Sequence, residues 1–576
     1  MRHVRALAAL CCALPAAAIH NGLGLKPSMA WRSWNLYHEH IDQQLMESAM
    51  AGLTSRRNSV DGVPTSLLDL GYSTVGLDDA WQACGSYGPG KYTYHDASGN
   101  PLVNLTRFPS MASMTAHAHS LGLRAGWYFN NCICQDHCSD EACYAGDVRA
   151  LLDFGFDAVK FDNCGAQRDL GLWASLIASH GKAIEIENCH WGRTTPNATW
   201  CPWNFYRTSG DVSPNFESVM TNLASIIPFA EQNLSTPGCW AYGDMLEVGV
   251  SDGSSSLTLG ETRSHFGGWA ILSSPLVLSH DVNDSAWGWA FFVWARASGC
   301  SGALWLTPPT CTHTLCAPFP LAPADTVQDL IWPIIANPEA IHVNQQYFGH
   351  SGSAFFSKIQ PPATTGDYVL ALPCNASDAT QHGFTYDAGA RAIRFSGKCV
   401  DALDGVQVML EACTGAAAQT WAYNGTSGYL VDGKDGLCLD VVANAPPGGP
   451  GVQTYGCHGA KGQVWSIAAG ASTISASDGF CLTSRSVVPN QLQYLYKPMS
   501  WDGSRAAVLL INVGVPGTPP QPKDLLLHFA DVPGLAGARC AVRDIWQRKD
   551  LGAFTDTFTA AAVGAHDSAF LMLTCA

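Results

Sequence analysis

Ala158-Val159-Lys160-Phe161-Asp162-Asn163-Cys164 reads as a short buried strand whose last residues break the apolar pattern. A lysine and a carboxylate at the end of such a strand are costly to desolvate unless they have work to do there. Taken alone, Asp162 is either a catalytic carboxylate or the N-cap of a strand-to-helix turn. The same theme recurs on both sides of it. Ser28–Asn35, Thr74–Asp79, Arg124–Tyr128, Ala183–Cys189, Tyr206–Asp211, Tyr242–Leu246 and Pro275–Asp281 each run from apolar into polar or aromatic residues. Helix-patterned segments such as Ser110–Leu121 and Asp147–Phe154 lie between them. Eight strand–helix units in roughly 300 residues predict a (β/α)8 TIM barrel with polar strand ends gathered at its C-terminal face. An open doubly wound sheet is the competitor, but no glycine-rich phosphate loop follows the first strand.

At 576 residues the chain is long enough for two to four domains. Its net charge of −16 argues against nucleic acid or an anionic membrane surface as partner. An acidic chain with 56 Gly and 19 Trp suits a neutral polar ligand such as a sugar. Arg2 and Arg5, the apolar run Ala6–Leu14 and the small residues Ala16–Ala18 read as a signal peptide over residues 1–18. That run is too short to span a membrane, and no later apolar stretch is long enough. A secreted chain, or one sent to a lysosome- or vacuole-like compartment, is expected. Of 22 cysteines, 20 lie beyond the leader and many are free to pair in an oxidising compartment. Acceptor sequons stand at Asn104, Asn197, Asn233, Asn283, Asn375 and Asn424. The close spacing of Cys132, Cys134 and Cys138 raises zinc as the alternative to disulfides; the reading adopted is no metal and no organic cofactor.

Several strand ends carry a resemblance. Gly24–Asn35, Asp78–Asp79, Gly122–Tyr128, Lys160–Cys164, Arg207–Asp211 and Gly243–Leu246 resemble, in order and spacing, the family 27 glycoside hydrolases. That family comprises α-galactosidases, α-N-acetylgalactosaminidases and β-L-arabinopyranosidases. The resemblance implies hydrolysis of terminal α-galactosides with retention, Asp162 as nucleophile and Asp211 as acid/base. It places Asp78 and Asp79 on the galactose O4 and O6 hydroxyls, with Trp34, Tyr128, Asp244 and Met245 as the walls. Cys189-His190-Trp191 corresponds to the stretch facing the sugar 2-position, where the bulk of Trp191 favours galactose. His190 stands where the family usually has Glu. Lys160, on the same strand face as Asp162, is expected to keep it ionised. Arg207 is expected to address substrate hydroxyls or Asp162, because facing Asp211 it would lower an acid's pKa. The resemblance implies a bridge Cys189–Cys201 and one from Cys164 to Cys132, Cys134 or Cys138, of which Cys134–Cys164 is adopted. Ala80 replaces a cysteine after the Asp pair, so that bridge is expected to be missing.

Beyond Asp281, residues about 285–323 are apolar and proline-rich and fit no ordinary loop. They are either a lid or partner surface, or untranslated sequence retained in the gene product, the reading favoured here; Cys311–Cys316 is a candidate local bridge. From 370 to 487 an internal repeat appears. Cys399-Val400-Asp401, Cys413 and Gln419-Thr420-Trp421 are matched by Cys438-Leu439-Asp440, Cys457 and Gln463-Val464-Trp465. This resembles the ricin-type β-trefoil lectin, its third repeat split between Cys481-Leu482-Thr483 and Cys374 with Gln381–Phe384. Bridges Cys374–Cys481, Cys399–Cys413 and Cys438–Cys457, and sugar contacts at Asp401 and Asp440, are implied. Residues 347–369 and 488–576 read as one antiparallel β-sandwich interrupted by the trefoil, with Cys540–Cys575 as a cross-strand bridge. The expected organisation is therefore 1–18 leader, 19–346 barrel, a split sandwich and a 370–487 lectin module. The expected partners are carbohydrate and, for the trefoil, glycan, with a homodimer left open. The rival from another class is a galactose-binding lectin without catalysis, which has no need of both Asp162 and Asp211.

Overall fold

The computed structural model describes residues 19–283 and 327–576, apart from 20, 86–93, 131, 135–136, 254, 356–366, 375–380, 403–407, 442–451, 458, 460, 468–471, 478, 486–493 and 514–520. The expected leader, the 285–323 segment with Cys311–Cys316, and Asn375 lie outside the described residues.

Eight parallel strands form the first sheet: β1 (Met29–Arg32), β2 (Thr74–Gly76), β3 (Arg124–Phe129), β4 (Ala158–Asp162), β5 (Glu185–Cys189), β6 (Phe205–Arg207), β7 (Trp240–Tyr242) and β8 (Leu276–Leu278). They pair in sequence order, and β8 pairs with β1. Across the remaining seam, just past β7, the Leu246 N–H donates to the Val277 carbonyl at 2.7 Å. The strands are buried nearly throughout, as apolar runs enclosed by helices must be. Helices Met111–Ser120 and Glu141–Asp153 cover the outside, the first capped by the Ser110 hydroxyl. The seventh strand ends earlier than its sequence suggests. A Cβ at Gly243 would lie 2.8 Å from the Trp269 ring, and Asp244 has φ +93°, so the chain leaves the sheet after Tyr242.

Helix Leu259–Ile271 joins the barrel to the second domain. A capping box between Thr258 and Glu261 starts it, and every residue from Ser264 to Ile271 is buried. Gly268 abuts Leu223 on the barrel side, while Gly267 abuts Leu509 and Trp546 of the sandwich. The sandwich has a six-stranded antiparallel sheet in the order Ser353–Ala354, Tyr494–Pro498, Arg505–Ile511, Ser568–Cys575, Arg539–Asp544, Lys549–Thr555. The pair Lys523–His528 and Thr557–Val563 accompanies it. Arg263 and Asp567 bridge the two domains, and the Lys497 ammonium donates to the carbonyls of Val343 and Asn344.

The trefoil sits between Phe355 and Tyr494, whose backbones are hydrogen-bonded to each other at 2.9 Å. Its repeats share one geometry. Trp421 Nε1 donates to the Val400 carbonyl and Trp465 Nε1 to that of Leu439, while Phe384 is the buried aromatic of the split repeat. One boundary moves. Asp367–Pro373 pairs along its length with Phe480–Arg485, so the strand cut by the expected 369/370 boundary lies wholly in the trefoil sheet.

Cys374–Cys481, Cys399–Cys413, Cys438–Cys457 and Cys540–Cys575 are formed. Two barrel pairings differ from expectation. Cys164 bonds Cys132 rather than Cys134, and Cys134 bonds Cys84. Cys132 faces the end of β4, with Cα atoms 4.7 Å apart, while Cys134 turns toward the loop after β2. Cys84 thus supplies a bridge beyond the Asp pair that Ala80 cannot. Cys201 bonds Cys239 just before β7, and Cys189 keeps a free, buried thiol beside Arg207. Cys138–Cys143 closes a short loop.

Because the insertion ends are adjacent, replacing residues 356–493 by a short Gly/Ser linker should leave a barrel–sandwich that melts cooperatively, with Tm within roughly 5 °C of the full chain. Thermal unfolding followed by circular dichroism checks it; a broad or absent transition would show that the trefoil is structurally required.

Candidate active site

A cavity of about 300 Å³ opens at the C-terminal ends of the barrel strands. The carboxylates Asp78, Asp79, Asp162, Asp211 and Asp244 all line it, as do Lys160 and Arg207. Trp34, Tyr128, Trp191 and Met245 give it apolar surface. Of the residues singled out in the barrel sequence, Cys189 and His190 stand outside the lining, the Cys189 sulfur 3.3 Å from Arg207 Nη1.

Asp162 ends β4 and is 5% exposed. Its Oδ2 accepts from the Tyr128 hydroxyl at 2.8 Å and its Oδ1 from the Asn163 N–H at 2.7 Å. Burial pushes its pKa up to about 7, against the pull of Lys160. Lys160 does not pair with it. The ammonium is 2.9 Å from Asp78 Oδ2, and Arg32 reaches the same oxygen at 3.5 Å. Burial would raise the Asp78 pKa, but these two cations hold it below the usual range. The expected charge partnership of Lys160 and Asp162 is therefore corrected. A lysine two residues deeper in β4 meets the end of β2, and Asp162 is left to neutral donors.

The expectation for Arg207 is also corrected. Its Nη2 is 2.9 Å from Asp211 Oδ1 and 3.0 Å from Asp244 Oδ2. Four residues past Arg207, the chain doubles back at the strand end and brings Asp211 onto the guanidinium. The Asp211 side chain is 75% exposed, open to solvent from above and crowded by protein below. That crowding pushes its pKa up, and Arg207, by charge and hydrogen bond, brings it below the ordinary value. Asp244 is buried, which raises it to about 6 despite Arg207 and the Val212 N–H. Asp79 is likewise raised to about 6 by burial, although its oxygens accept from the N–H groups of Ala80, Cys132 and Ile133.

His190 turns away from the cavity and bonds Thr194 Oγ1 at 2.9 Å; burial lowers its pKa to about 4, so it is neutral. Trp191 holds the wall, with the Arg193 guanidinium over its ring at 5.4 Å. Sequence reasoning missed Asn35, His38 and Glu247. Asn35 Nδ2 donates to Glu247 Oε1 at 2.7 Å, and His38 packs edge-on against Trp34. Glu247 is one residue past the stretch read as the seventh strand, and burial raises its pKa well above the ordinary value. Two clusters among the described residues, His95/Cys138/Cys143 and Cys132/Asp162/Cys164, each bring three candidate metal ligands together, but their sulfurs are engaged in disulfides. A larger cavity, about 540 Å³, lies between barrel and sandwich, where Arg263 and Asp567 are paired with each other. Volume alone therefore does not mark the site; the convergence of carboxylates does.

Residues 26–287 match the family model described as alpha galactosidase A, and 489–573 that of the alpha galactosidase C-terminal beta sandwich domain. The barrel and the sandwich are α-galactosidase family domains. Residues 358–447 and 426–497 match the ricin-type beta-trefoil lectin domain. An α-galactosidase of Oryza sativa subsp. japonica is 31% identical over 276 residues, which is 46% of this chain and 60% of that protein. One from Cyamopsis tetragonoloba is 30% identical over the same shares. The chain thus spans about 60% of the length of these curated relatives. Among solved structures, α-galactosidase I from Mortierella vinacea shares the fold with a TM-score of 0.55 at 18% identity, covering 97% of this chain and all of that one. A β-L-arabinopyranosidase from Geobacillus stearothermophilus gives 0.51 at 13%, covering 97% and 99%. No helix among the described residues is long and apolar enough to cross a membrane.

The raised pKa of Asp162 is a statement about stability. The folded state holds its proton more tightly than the unfolded chain does, so stability is lost as pH rises from the unfolded value, 3.8, through about 7. Asp162→Asn removes that loss. The variant should gain stability over the parent between pH 4 and 7, by at most about 4 kcal/mol. Melting curves of both proteins across that range test this; a Tm difference independent of pH would refute it.

Proposed function

We propose that the protein is a retaining exo-glycosidase that removes terminal α-D-galactosyl residues from oligosaccharides or glycoconjugates. The observation that carries this reading is the pair Asp162 and Asp211 on one cavity, the first fixed by Tyr128 and a backbone N–H, the second held by Arg207. A carboxylate fixed on both oxygens and shielded from solvent suits direct attack on the anomeric carbon, whereas an exposed one at the mouth suits proton exchange with an aglycone and then with water. In the first step an Asp162 oxygen bonds the anomeric carbon, the glycosidic C–O bond breaks, and the Asp211 proton goes to the leaving oxygen. In the second, water gives its proton to Asp211, its oxygen bonds the anomeric carbon, and Asp162 leaves. Asp78, ionised between two cations, is an acceptor for sugar hydroxyls, and Trp34 offers its ring to the sugar face. Trp191, braced by Arg193, supports a 2-hydroxyl over a 2-acetamido group.

The trefoil extends the reading to glycan binding. Asp401 and Asp440, whose Oδ2 atoms accept from Gln419 and Gln453, are its candidate contacts. The eight disulfides among the described residues support folding in an oxidising, secretory compartment.

A panel of nitrophenyl glycosides tests the assignment. The α-galactoside should be turned over, the α-N-acetylgalactosaminide and β-L-arabinopyranoside at least about 100-fold more slowly, and the first sugar released should be the α-anomer by NMR. Asp162→Asn should cost roughly 10³-fold or more in kcat. Absence of turnover of the α-galactoside by the parent chain would overturn the proposal.

The proton inventory sets the pH dependence. With Asp162 near 7 and Asp211 below 3.8, the empty pair holds one proton over the interval between them. The productive form also holds one proton, on Asp211, and a sugar hydroxyl that takes up Arg207 loosens its grip on that carboxylate. A bell-shaped kcat/KM profile with an acidic optimum and an alkaline limb near 7 is expected. A profile flat from pH 5 to 9 would exclude it.

A further inference from the structure

We propose that Arg32 and Glu187 form a buried charge clamp that positions Asp78 and Lys160 for substrate binding. The inference rests on the α-galactosidase reading of the cavity above it. Arg32 is the last residue of β1 and is 7% exposed; Glu187, in the middle of β5, is 2% exposed. Neither lines the substrate cavity, whereas Asp78 and Lys160 do. The Arg32 guanidinium is a fork between them and the layer below. Its Nη2 donates to Glu187 Oε2 and its Nη1 to Asp78 Oδ2 at 3.5 Å, the oxygen that also takes the Lys160 ammonium at 2.9 Å.

The four groups carry two positive and two negative charges, all inside the barrel. As a set they are neutral; deleting one leaves an uncompensated charge away from water, which is where most of the cost of breaking a buried pair arises. Asp78 lies at the top of this set. Its other oxygen accepts the Asp79 N–H at 2.9 Å, so its orientation depends on what holds Oδ2. Without Arg32, Glu187 loses its partner, and Lys160 is left as a cation whose charge Glu187 already stabilises. The ammonium is then drawn down the barrel, and Asp78 loses both of its cations. Arg32 thus acts through Asp78 and Lys160 without touching the sugar. A lysine at position 32 keeps the charge but cannot span two carboxylates.

The test is steady-state kinetics of Arg32→Lys, Arg32→Gln, Glu187→Gln and the double variant on nitrophenyl α-galactoside, with galactose product inhibition as a direct measure of binding. Arg32→Lys and Arg32→Gln should raise KM and the galactose inhibition constant together, by roughly ten- to a hundredfold, with kcat changed much less. The double variant Arg32→Gln/Glu187→Gln, which is again neutral in charge, should recover most of that loss. If Arg32→Gln fails to fold, Arg32→Lys carries the test. Unchanged KM and inhibition constant in a folded Arg32→Lys would overturn the clamp, as would a double variant no better than Arg32→Gln. Failure of the parent chain to turn over the α-galactoside would instead overturn the activity on which the inference rests.

Discussion

The contact on which the site depends is the shared oxygen of Asp78. One carboxylate oxygen takes Lys160 at 2.9 Å and lies within reach of Arg32 at 3.5 Å, so the cations of the barrel interior are committed to a binding carboxylate. Asp162 is left with a phenol and an amide, donors that fix its direction without offsetting much of its desolvation. Its high pKa follows from that allocation. The second cation of the cavity, Arg207, is committed in the same way to Asp211 and Asp244. Three buried cations thus serve carboxylates other than the one at the end of β4, and the one proton of the Asp162 and Asp211 pair falls on Asp162.

The second constraint is a packing one. Helix Leu259–Ile271 is buried on the barrel side and on the sandwich side, and two adjacent glycines let it be so. A side chain at Gly267 or Gly268 would meet Leu509 or Leu223 at 3.0 Å or less. The same helix supports the floor of the site, because Trp269 Nε1 donates to the Asp244 carbonyl at 2.7 Å and His265 Nε2 accepts the Glu247 N–H at 3.0 Å. The sandwich is therefore mechanically continuous with the strand end that carries Asp244 and Met245.

What the amino-acid sequence discloses and what it withholds divide along a physical line. Strand ends such as Lys160–Asp162 and Asp78–Asp79 are legible because polar residues at the close of apolar runs stand out locally, and the Cys and Gln-X-Trp repeats because periodicity is local too. Partner choice is not. Lys160 lies two residues from Asp162 on one strand face, and nothing in the chain says that the end of β2 comes closer. Arg207 and Asp211 are four residues apart, yet whether they meet depends on how the chain turns after β6. Cys132, Cys134 and Cys138 are interchangeable on paper; only the direction of the loop gives Cys164 to the first and Cys84 to the second. The pairing of Arg32 with Glu187 is hidden for the same reason, since a charge in an apolar strand shows its cost in sequence but not its partner.

The trefoil follows from a geometric permission. An insertion is tolerated where its ends already adjoin, and the hydrogen bond from Phe355 N–H to the Tyr494 carbonyl is a rung of the ladder that would join Ser353–Ala354 to Tyr494–Pro498 in an uninterrupted sandwich. The inserted domain begins and ends on neighbouring strands of its own, Asp367–Pro373 and Phe480–Arg485, pinned by Cys374–Cys481. The ends of this trefoil fall inside one repeat, on strands that pair with each other. Insertion thus rests on one requirement: that entry and exit lie on neighbouring strands of both domains.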